Sequence, residues 1–251
     1  MINYTFSVSY DGSRYEGWQR QTRTGETVQG KLEKAFEKLT GEKGQIIGAG
    51  RTDAGVHALG QRANIHLARE LELPGAEEAL NRLLPDDIGV SGLKRVDDRF
   101  HARFSALRKT YRYRIRTGWR KDVFTRRYVW QLGEALDVPA MEKGAVLLTG
   151  THDYRSFCGN KAMKKSTVRT VESISVTEEN GIVTLDFTGD GFLQNMVRIL
   201  TGTLVEIGEG KRRAEELPRV LEAKDRQCAG FTAPPQGLCL LRVEYGGEWN
   251  V

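Results

Sequence analysis

The apolar and polar positions of the 251-residue chain form short periodic segments that predict both strands and helices. Residues 2–10 alternate with a period of two, which is typical of a strand with one buried face. From 28 to 39 the apolar residues recur at helical spacing, with Thr27 available as the N-cap and Gly41 as the C-terminal stop. The chain is therefore predicted to begin with a strand that is followed by a helix.

The same two periods continue along the rest of the chain. Strands are predicted at 45–47, 63–67, 88–96, 110–117, 171–177, 182–188 and 238–245, and helices at 76–84, 141–148, 192–207 and 217–221. The turn Glu179-Asn180-Gly181 separates two of these strands, which predicts a hairpin.

The order of these elements is not a regular alternation of strand and helix, which disfavours a doubly wound parallel sheet. We therefore expect an α+β fold of two similar halves that share a largely antiparallel sheet, with helices on one face and a basic cleft between the halves. The predicted domains are 1–105, which contains a glycine-rich loop at 48–55, and 106–251, which completes the cleft. No linker rich in Pro, Gly or Ser separates them.

Composition limits the classes of protein that fit the chain. No apolar run approaches the roughly 20 residues of a membrane helix, and the first residues begin a strand pattern instead of a signal peptide, so we expect a soluble, cytoplasmic protein. Cys158, Cys228 and Cys239 have no metal-ligand spacing and suit reduced thiols. The net charge of +5 permits an anionic partner without specifying one.

The glycine-rich loop groups three chemically versatile side chains, Arg51, Asp53 and His57. It starts like a dinucleotide-binding fingerprint, but Asp53 occupies the position of the helix-packing glycine and no helical pattern follows, so a Rossmann site is excluded. A carboxylate beside a guanidinium is favoured in its ionised form, as a carboxylate nucleophile requires. A tight turn with an Arg–Asp surface pair fits these residues equally well, and side-chain chemistry alone does not separate the two alternatives.

Five segments, in order along nearly the whole chain, favour the nucleophile. They are Tyr10-Asp11-Gly12-Ser13 with Gly17-Trp18-Gln19-Arg20-Gln21, then Gly48-Ala49-Gly50-Arg51-Thr52-Asp53-Ala54-Gly55-Val56-His57, then Phe100-His101-Ala102-Arg103-Phe104-Ser105, then Lys109-Thr110-Tyr111-Arg112-Tyr113, and Gly191-Phe192-Leu193-Gln194-Asn195-Met196-Val197-Arg198. This set resembles the motifs of the TruA family of tRNA pseudouridine synthases. The resemblance implies isomerisation of uridine to pseudouridine in the anticodon stem-loop of tRNA, at positions 38 to 40, with neither a cofactor nor a metal.

The resemblance also implies a role for five residues. Asp53 matches the aspartate nucleophile, and Arg198 matches the arginine that pairs with it and keeps it ionised. Tyr111 matches the tyrosine that stacks on the extruded target uracil, and Leu238 matches the apolar residue on the opposite wall of the pocket. Arg51 matches the arginine that helps to displace the target nucleotide and contacts RNA. The sequence leaves open whether the carboxylate attacks C1′ or C6 or assists through a glycal intermediate.

Four other residues of the matched segments are expected to be structural: His57, His101, Phe104 and Tyr113. A solvated strand face is one interpretation of the cations around Tyr111, but together with a stacking tyrosine they favour a basic groove for RNA. These cations are Arg108, Lys109, Arg112, Arg114 and Arg116, extended by Arg120-Lys121, Arg126-Arg127 and Lys164-Lys165.

Two rival functions are a non-catalytic RNA-binding protein and a nucleotide-binding metabolic enzyme. A carboxylate at the centre of the matched loop argues against the first, because a phosphate-binding groove gains nothing from it. The resemblance further implies a homodimer in which one tRNA lies across both subunits.

Overall fold

A computed structural model describes residues 1–249 and 251 of the chain. The described chain divides into two compact units, of which unit 1 contains 1–107 and 240–251 and unit 2 contains 108–239. The C-terminal segment thus packs with the N-terminal half. The predicted domains, 1–105 and 106–251, stay a prediction, because compact units are defined by packing and domains by independent folding.

The strands and helices are close to those predicted from the sequence. In chain order they are β1 (Ile2–Tyr10), α1 (Val28–Thr40), β2 (Ile46–Gly48), β3 (His57–Leu67), α2 (Ala76–Leu83), β4 (Ile88–Arg95), β5 (Ala106–Arg116), β6 (Trp130–Gln131), α3 (Val138–Leu147), β7 (Gly150–Asp153), β8 (Val168–Glu179), β9 (Ile182–Gly189), α4 (Met196–Gly208), α5 (Leu217–Ala223) and β10 (Leu238–Tyr245).

In unit 1 the strand order is β4, β1, β3 and β10, and β2 lies beside β3. β1 pairs antiparallel with β3 and β4, and β2 pairs antiparallel with β3. The two helices α1 and α2 contact each other. Phe36 of α1 packs on Phe6 of β1 with 5.1 Å between the ring centroids, which places the apolar core between this helix and the sheet.

In unit 2 the strand order is β5, β9, β8 and β7, and these neighbours all pair antiparallel. The short strand β6 pairs parallel with β5. The helix α3 packs on β8 and also contacts α4 and α5. Unit 2 therefore repeats the plan of unit 1, an antiparallel sheet with helices packed on it.

These elements confirm the predicted α+β class with its largely antiparallel strands. The residues described here form ten strands and five α-helices, and within each unit the helices contact one another. The basic cleft stays a prediction. Among residues 1–249 and 251, no helix combines the length and the apolar composition that a membrane span needs.

Both faces of β1 are buried from Asn3 to Phe6, although its alternation predicts one buried face. Tyr4 and Phe6 face the helical side, but Asn3 and Thr5 on the other side are also fully buried. Asn3 Nδ2 donates to the carbonyl oxygens of Asp97 (3.0 Å) and Phe100 (2.9 Å), so the loop after β4 covers this face. The expectation of a single buried face is wrong, because the Asn3 side chain donates its hydrogen bonds to the backbone of the covering loop instead of to water.

Local signals explain where α1 and the hairpin of β8 and β9 end. The Thr27 side chain accepts a hydrogen bond from Gly30 N–H (3.3 Å), and Gly41 ends α1 with a φ of 72°. The hairpin of β8 and β9 turns at Asn180 and Gly181, which both have positive φ.

One predicted helix begins later than expected. The apolar stripe predicted a helix from 192, but α4 begins at Met196, because Asn195 adopts a left-handed φ of 59° that a continuing helix does not allow. Phe192 therefore lies outside the helix. The strands β6 and β7 were not predicted, since segments of two and four residues carry almost no periodicity.

Candidate active site

The loop 49–56, which joins β2 to β3, carries Arg51 and Asp53 and is held from several sides. Gln61 of β3 is fully buried and bonds both backbone groups of Gly50. Its Nε2 donates to the Gly50 carbonyl (2.9 Å), and its Oε1 accepts from the Gly50 N–H (3.3 Å). This paired amide fixes the loop just before Arg51 and Asp53.

The residue that precedes Asp53 is held by the first matched segment. Thr52 Oγ1 is hydrogen-bonded to the Tyr10 hydroxyl (2.8 Å) in a buried position. The Thr52 carbonyl accepts from the Trp18 N–H (3.1 Å). The segments 10–13 and 17–21 therefore act as a scaffold for the loop of Asp53.

Two glycines are required by this packing. Gly17 has a φ of +91°, and a Cβ there would lie 2.7 Å from the Thr52 carbonyl oxygen. A Cβ on Gly48 would lie 2.6 Å from the Trp18 indole ring. Gly48 thus lets Trp18 approach the loop, so the observed reason for this glycine is packing within unit 1.

The residues after Asp53 are equally constrained. The Val56 N–H donates to the Asp53 carbonyl (3.2 Å), which closes a tight turn. His57 is buried, and its Nδ1 accepts from the Gly12 N–H (3.0 Å) and lies 3.2 Å from an Asp11 carboxylate oxygen. These contacts support the structural role predicted for His57.

Within this frame the Asp53 side chain is half-buried and the Arg51 side chain is exposed. Arg51 forms no ion pair or side-chain hydrogen bond with any residue in the described part of the chain. The tight turn of the alternative interpretation is thus present, but its Arg–Asp surface pair is not found among the described residues. A fixed backbone with an exposed guanidinium is the arrangement that an RNA-contacting arginine needs.

Tyr111 lies on β5 and is 7% exposed. Its ring meets Phe192 edge to face with 5.3 Å between the centroids, so the residues before α4 pack beside it. Tyr113, on the same strand face, is fully buried; burial raises its pKa, and its hydroxyl donates to the Pro234 carbonyl (2.6 Å). Tyr113 is therefore structural, as predicted, and it orders the segment that leads into β10.

Arg198 lies in the first turn of α4 and is half-buried. Its Nε donates to the Ala233 carbonyl (2.7 Å), and its Nη1 donates to Asn195 Oδ1 (3.0 Å). The Ala233 N–H in turn donates to the Arg198 carbonyl (3.0 Å). These bonds tie α4 to the segment that ends at Leu238, which is 5% exposed.

The five predicted site residues are divided between the two units. Unit 1 holds Arg51 and Asp53 in one loop, and unit 2 holds Tyr111, Arg198 and Leu238 on elements that contact one another. A single pocket formed by all five stays a prediction. Within the part of the chain that the structure describes, no group of His, Cys, Asp and Glu side chains is arranged to hold a metal ion.

The arginines of β5 carry less uncompensated charge than their spacing suggests. Arg112 makes two hydrogen bonds to Asp186 (2.8 and 2.7 Å), which raise the pKa of its guanidinium. Arg116 lies 3.5 Å from Asp122. Part of the positive charge on this strand face is therefore neutralised within unit 2.

The side chains that hold the loops were not identified from the sequence. Gln61 does give a signal, because it shares the strand face of Ala63 and Ile65, where an apolar residue is expected. Asn3 and Asn64 give no such signal, because they lie at the alternate strand positions where a polar, solvent-facing residue is expected. Their burial is visible only in the structure, where the loop 97–102 covers this side of the sheet.

Comparison with known proteins agrees with the matched segments. Residues 6–105 and 145–246 match the model of a family described as tRNA pseudouridine synthase. A tRNA pseudouridine synthase A from Bacillus sp. strain KSM-64 is 43% identical over 248 residues, which cover 98% of this chain and all of the relative. Proteins from Acetivibrio thermocellus (tRNA pseudouridine synthase A) and Bacillus anthracis (tRNA pseudouridine synthase A 2) are 44% and 42% identical over 245 residues, with the same coverage.

Proposed function

The chain belongs to the tRNA pseudouridine synthase family, and we propose that it isomerises uridine to pseudouridine in the anticodon stem-loop of tRNA, at positions 38 to 40. The observation that carries this proposal is the loop of Asp53, whose backbone is bonded to buried groups on both sides of the carboxylate. A reacting group must be held close to its productive geometry, and such a frame provides this.

The reaction breaks the bond between N1 of uracil and C1′ of ribose and forms a bond between C5 and C1′. N1 gains a proton and C5 loses one, so the atoms balance without a co-reactant. In our proposal Asp53 is the nucleophile, and Arg198 pairs with it to keep it ionised. The half-buried position of Arg198, with its Nε and Nη1 already bonded to Ala233 and Asn195, supports a fixed orientation of its guanidinium.

The uracil itself is proposed to stack on Tyr111, with Leu238 on the opposite wall. A base inside a stem-loop must leave its stack to reach such a pocket, and Arg51 is proposed to displace it. The exposed guanidinium of Arg51 suits this role. We further propose that the protein acts in the cytoplasm as a homodimer, with one tRNA lying across both subunits.

The test is the replacement of Asp53 by asparagine and by alanine. Both variants should lose pseudouridine formation while tRNA affinity stays within a few fold, because the carboxylate serves the chemical step. Pseudouridine is measured in unmodified tRNA transcripts, and affinity is measured by filter binding. Asp98→Asn, at an exposed acid of the same unit, is the control and should retain activity.

This test also separates the rival functions. Retained activity in Asp53→Asn contradicts the assigned nucleophile. Tight tRNA binding without any pseudouridine formation by the unchanged chain favours a non-catalytic RNA-binding protein. Affinity for free nucleotides, with no salt-dependent tRNA binding, favours a metabolic enzyme.

A further inference from the structure

The loop 97–105 exposes one aromatic ring although the rest of its apolar residues are buried. Phe100 and Ala102 are at most 1% exposed and belong to a core cluster with Tyr245 and other C-terminal residues. Phe104, in the same matched segment, is 77% exposed. Phe104 therefore does not fill the structural role expected of it by packing into the core.

The backbone that carries Phe104 is held on both sides. The Ala102 N–H donates to Asn64 Oδ1 (3.0 Å), and the Ala102 carbonyl accepts from the Tyr245 hydroxyl (2.7 Å). The Ser105 N–H donates to the His101 carbonyl (2.9 Å), which closes the turn around Phe104. An exposed ring on a fixed backbone loses little conformational freedom when a ligand binds to it.

Behind the ring lies a histidine that is part of the same turn. The His101 and Phe104 ring centroids are 4.3 Å apart with 31° between the planes. His101 Nδ1 accepts from the backbone N–H groups of Arg103 (3.1 Å) and Phe104 (3.2 Å), so the imidazole cannot turn away. The Arg103 guanidinium carbon lies 5.9 Å from the Phe104 centroid.

The charged neighbours of this turn favour an anionic partner. Burial lowers the pKa of His101 below its ordinary value, and the neighbouring Arg103 and His66 lower it further. Arg103 is exposed beside Phe104. An aromatic ring next to an exposed cation is the combination by which proteins hold single-stranded nucleic acid.

We infer that the exposed face of Phe104, backed by His101, is a stacking platform for an unpaired base of the RNA substrate, and that Arg103 contacts the adjoining phosphate. This inference rests on the proposed function and adds a base contact outside the five predicted site residues. A second copy of the chain is the other occupant to be considered, but the cation beside the ring favours RNA.

The decisive comparison is between Phe104→Leu and Phe104→Trp. Leucine keeps an apolar side chain without an aromatic face, whereas tryptophan keeps the face. Phe104→Leu should weaken binding of an unmodified tRNA transcript by roughly 5- to 100-fold, and Phe104→Trp should bind like the unchanged protein, because stacking of one base contributes on this scale. Both variants should keep the unfolding temperature, since the side chain is exposed. Val146→Ala, 69% exposed on α3, is the matched control.

An abasic scan of the RNA identifies the base. At one unpaired position, removal of the base should weaken binding to the protein with Phe104 but leave binding to Phe104→Leu unchanged, because both changes remove one interaction. All binding is measured in the Asp53→Asn background, so that the RNA is not converted.

Three results would overturn the platform. These are affinity of Phe104→Leu within about twofold of the parent, equal losses in Phe104→Leu and Phe104→Trp, and no abasic position that is coupled to Phe104. Loss of self-association in Phe104→Leu with unchanged RNA affinity would assign the surface to a second copy instead. Pseudouridine formation by the unchanged chain is scored separately, so failure of the proposed function is distinguishable from failure of the platform.

Discussion

Strands in both units alternate apolar and polar side chains, but the polar sides meet different surroundings. In unit 1, Asn3 and Asn64 lie fully buried under the loop 97–102 and bond to its backbone. In unit 2, Arg112 and Asp186 pair with each other while their side chains stay 42% and 27% exposed. The same alternation therefore produces a second packed face in unit 1 and a solvated face in unit 2.

Because of this difference, the stability of unit 1 should depend more on its polar side chains than the stability of unit 2. Removal of a buried hydrogen-bond partner costs about 1–3 kcal/mol for each group left unsatisfied, whereas an exposed ion pair contributes about 0–1 kcal/mol. In unit 1, Asn3 and Asn64 on the polar face hold the loop of Phe104. On the polar face of unit 2, Arg112 and Asp186 hold each other.

The most direct way to break this comparison is the same substitution on both faces. Asn64→Leu leaves the Ala102 N–H and Asn3 Oδ1 buried without their partner and should lower the free energy of unfolding by about 2–4 kcal/mol. Asp186→Leu should change it by less than about 1 kcal/mol, because Arg112 can be solvated. Urea unfolding followed by circular dichroism measures both.

Equal losses in Asn64→Leu and Asp186→Leu would show that the two faces are energetically alike. A second readout sharpens the result. Asn64→Leu should weaken tRNA binding through the loop of Phe104, while Asp186→Leu should leave it within a few fold of the unchanged protein.

Gln61 tests the same idea at the loop of Asp53. Gln61→Leu removes both hydrogen bonds to Gly50, and we expect kcat to fall about 10- to 100-fold because a small displacement of a reacting group has an effect of this size. KM should stay within a few fold, since the exposed RNA contacts are untouched. Gln61→Glu keeps an acceptor for the Gly50 N–H but buries a carboxylate against the Gly50 carbonyl oxygen, so it should lose at least as much.

Steady-state assays on tRNA measure the two constants for Gln61→Leu, Gln61→Glu and the parent. A rise in KM with unchanged kcat would mean that Gln61 shapes RNA binding and does not position Asp53. The unfolding temperature of each variant shows whether the protein stays folded during the assay.

Much of the fold follows from periodicity, because the helices bury one apolar stripe and the strands bury one apolar face, as the sequence pattern indicates. The sequence analysis placed β10 at 238–245 and α1 at 28–39, close to the observed bounds. It misplaced the start of α4, because the apolar residue Phe192 continues the stripe across a left-handed Asn195 that no periodicity reveals. The buried second face of β1 was missed because Asn3 and Thr5 are polar.

The candidate site divides in a similar way. The residues with reactive side chains, Asp53 and Arg51 among them, are visible in the matched segments. Residues that only hold backbone, such as Gln61 and Asn64, are not, because their partners come from distant parts of the chain. Phe104 was expected to be structural, and its exposure is visible only in the structure.

The smallest expected effect is a pH dependence at the turn behind Phe104. Burial, together with the neighbouring Arg103 and His66, lowers the pKa of His101 below its ordinary value near 6.5. A histidine with a lower pKa in the folded state contributes stability above its unfolded pKa and loses it as the pH falls through the folded value. Arg112 in unit 2 stays charged throughout and adds no such dependence.

We therefore expect the unfolding temperature of the parent to fall more steeply than that of His101→Asn as the pH decreases from about 7 to 5. Asparagine remains a neutral acceptor, whereas a protonated His101 no longer accepts from Arg103 and Phe104. The difference between the two unfolding temperatures, measured against pH, cancels the groups common to both proteins. A difference that is constant with pH would mean that the imidazole titrates alike in the folded and unfolded chains, and that the turn behind Phe104 is as solvated as the polar face of unit 2.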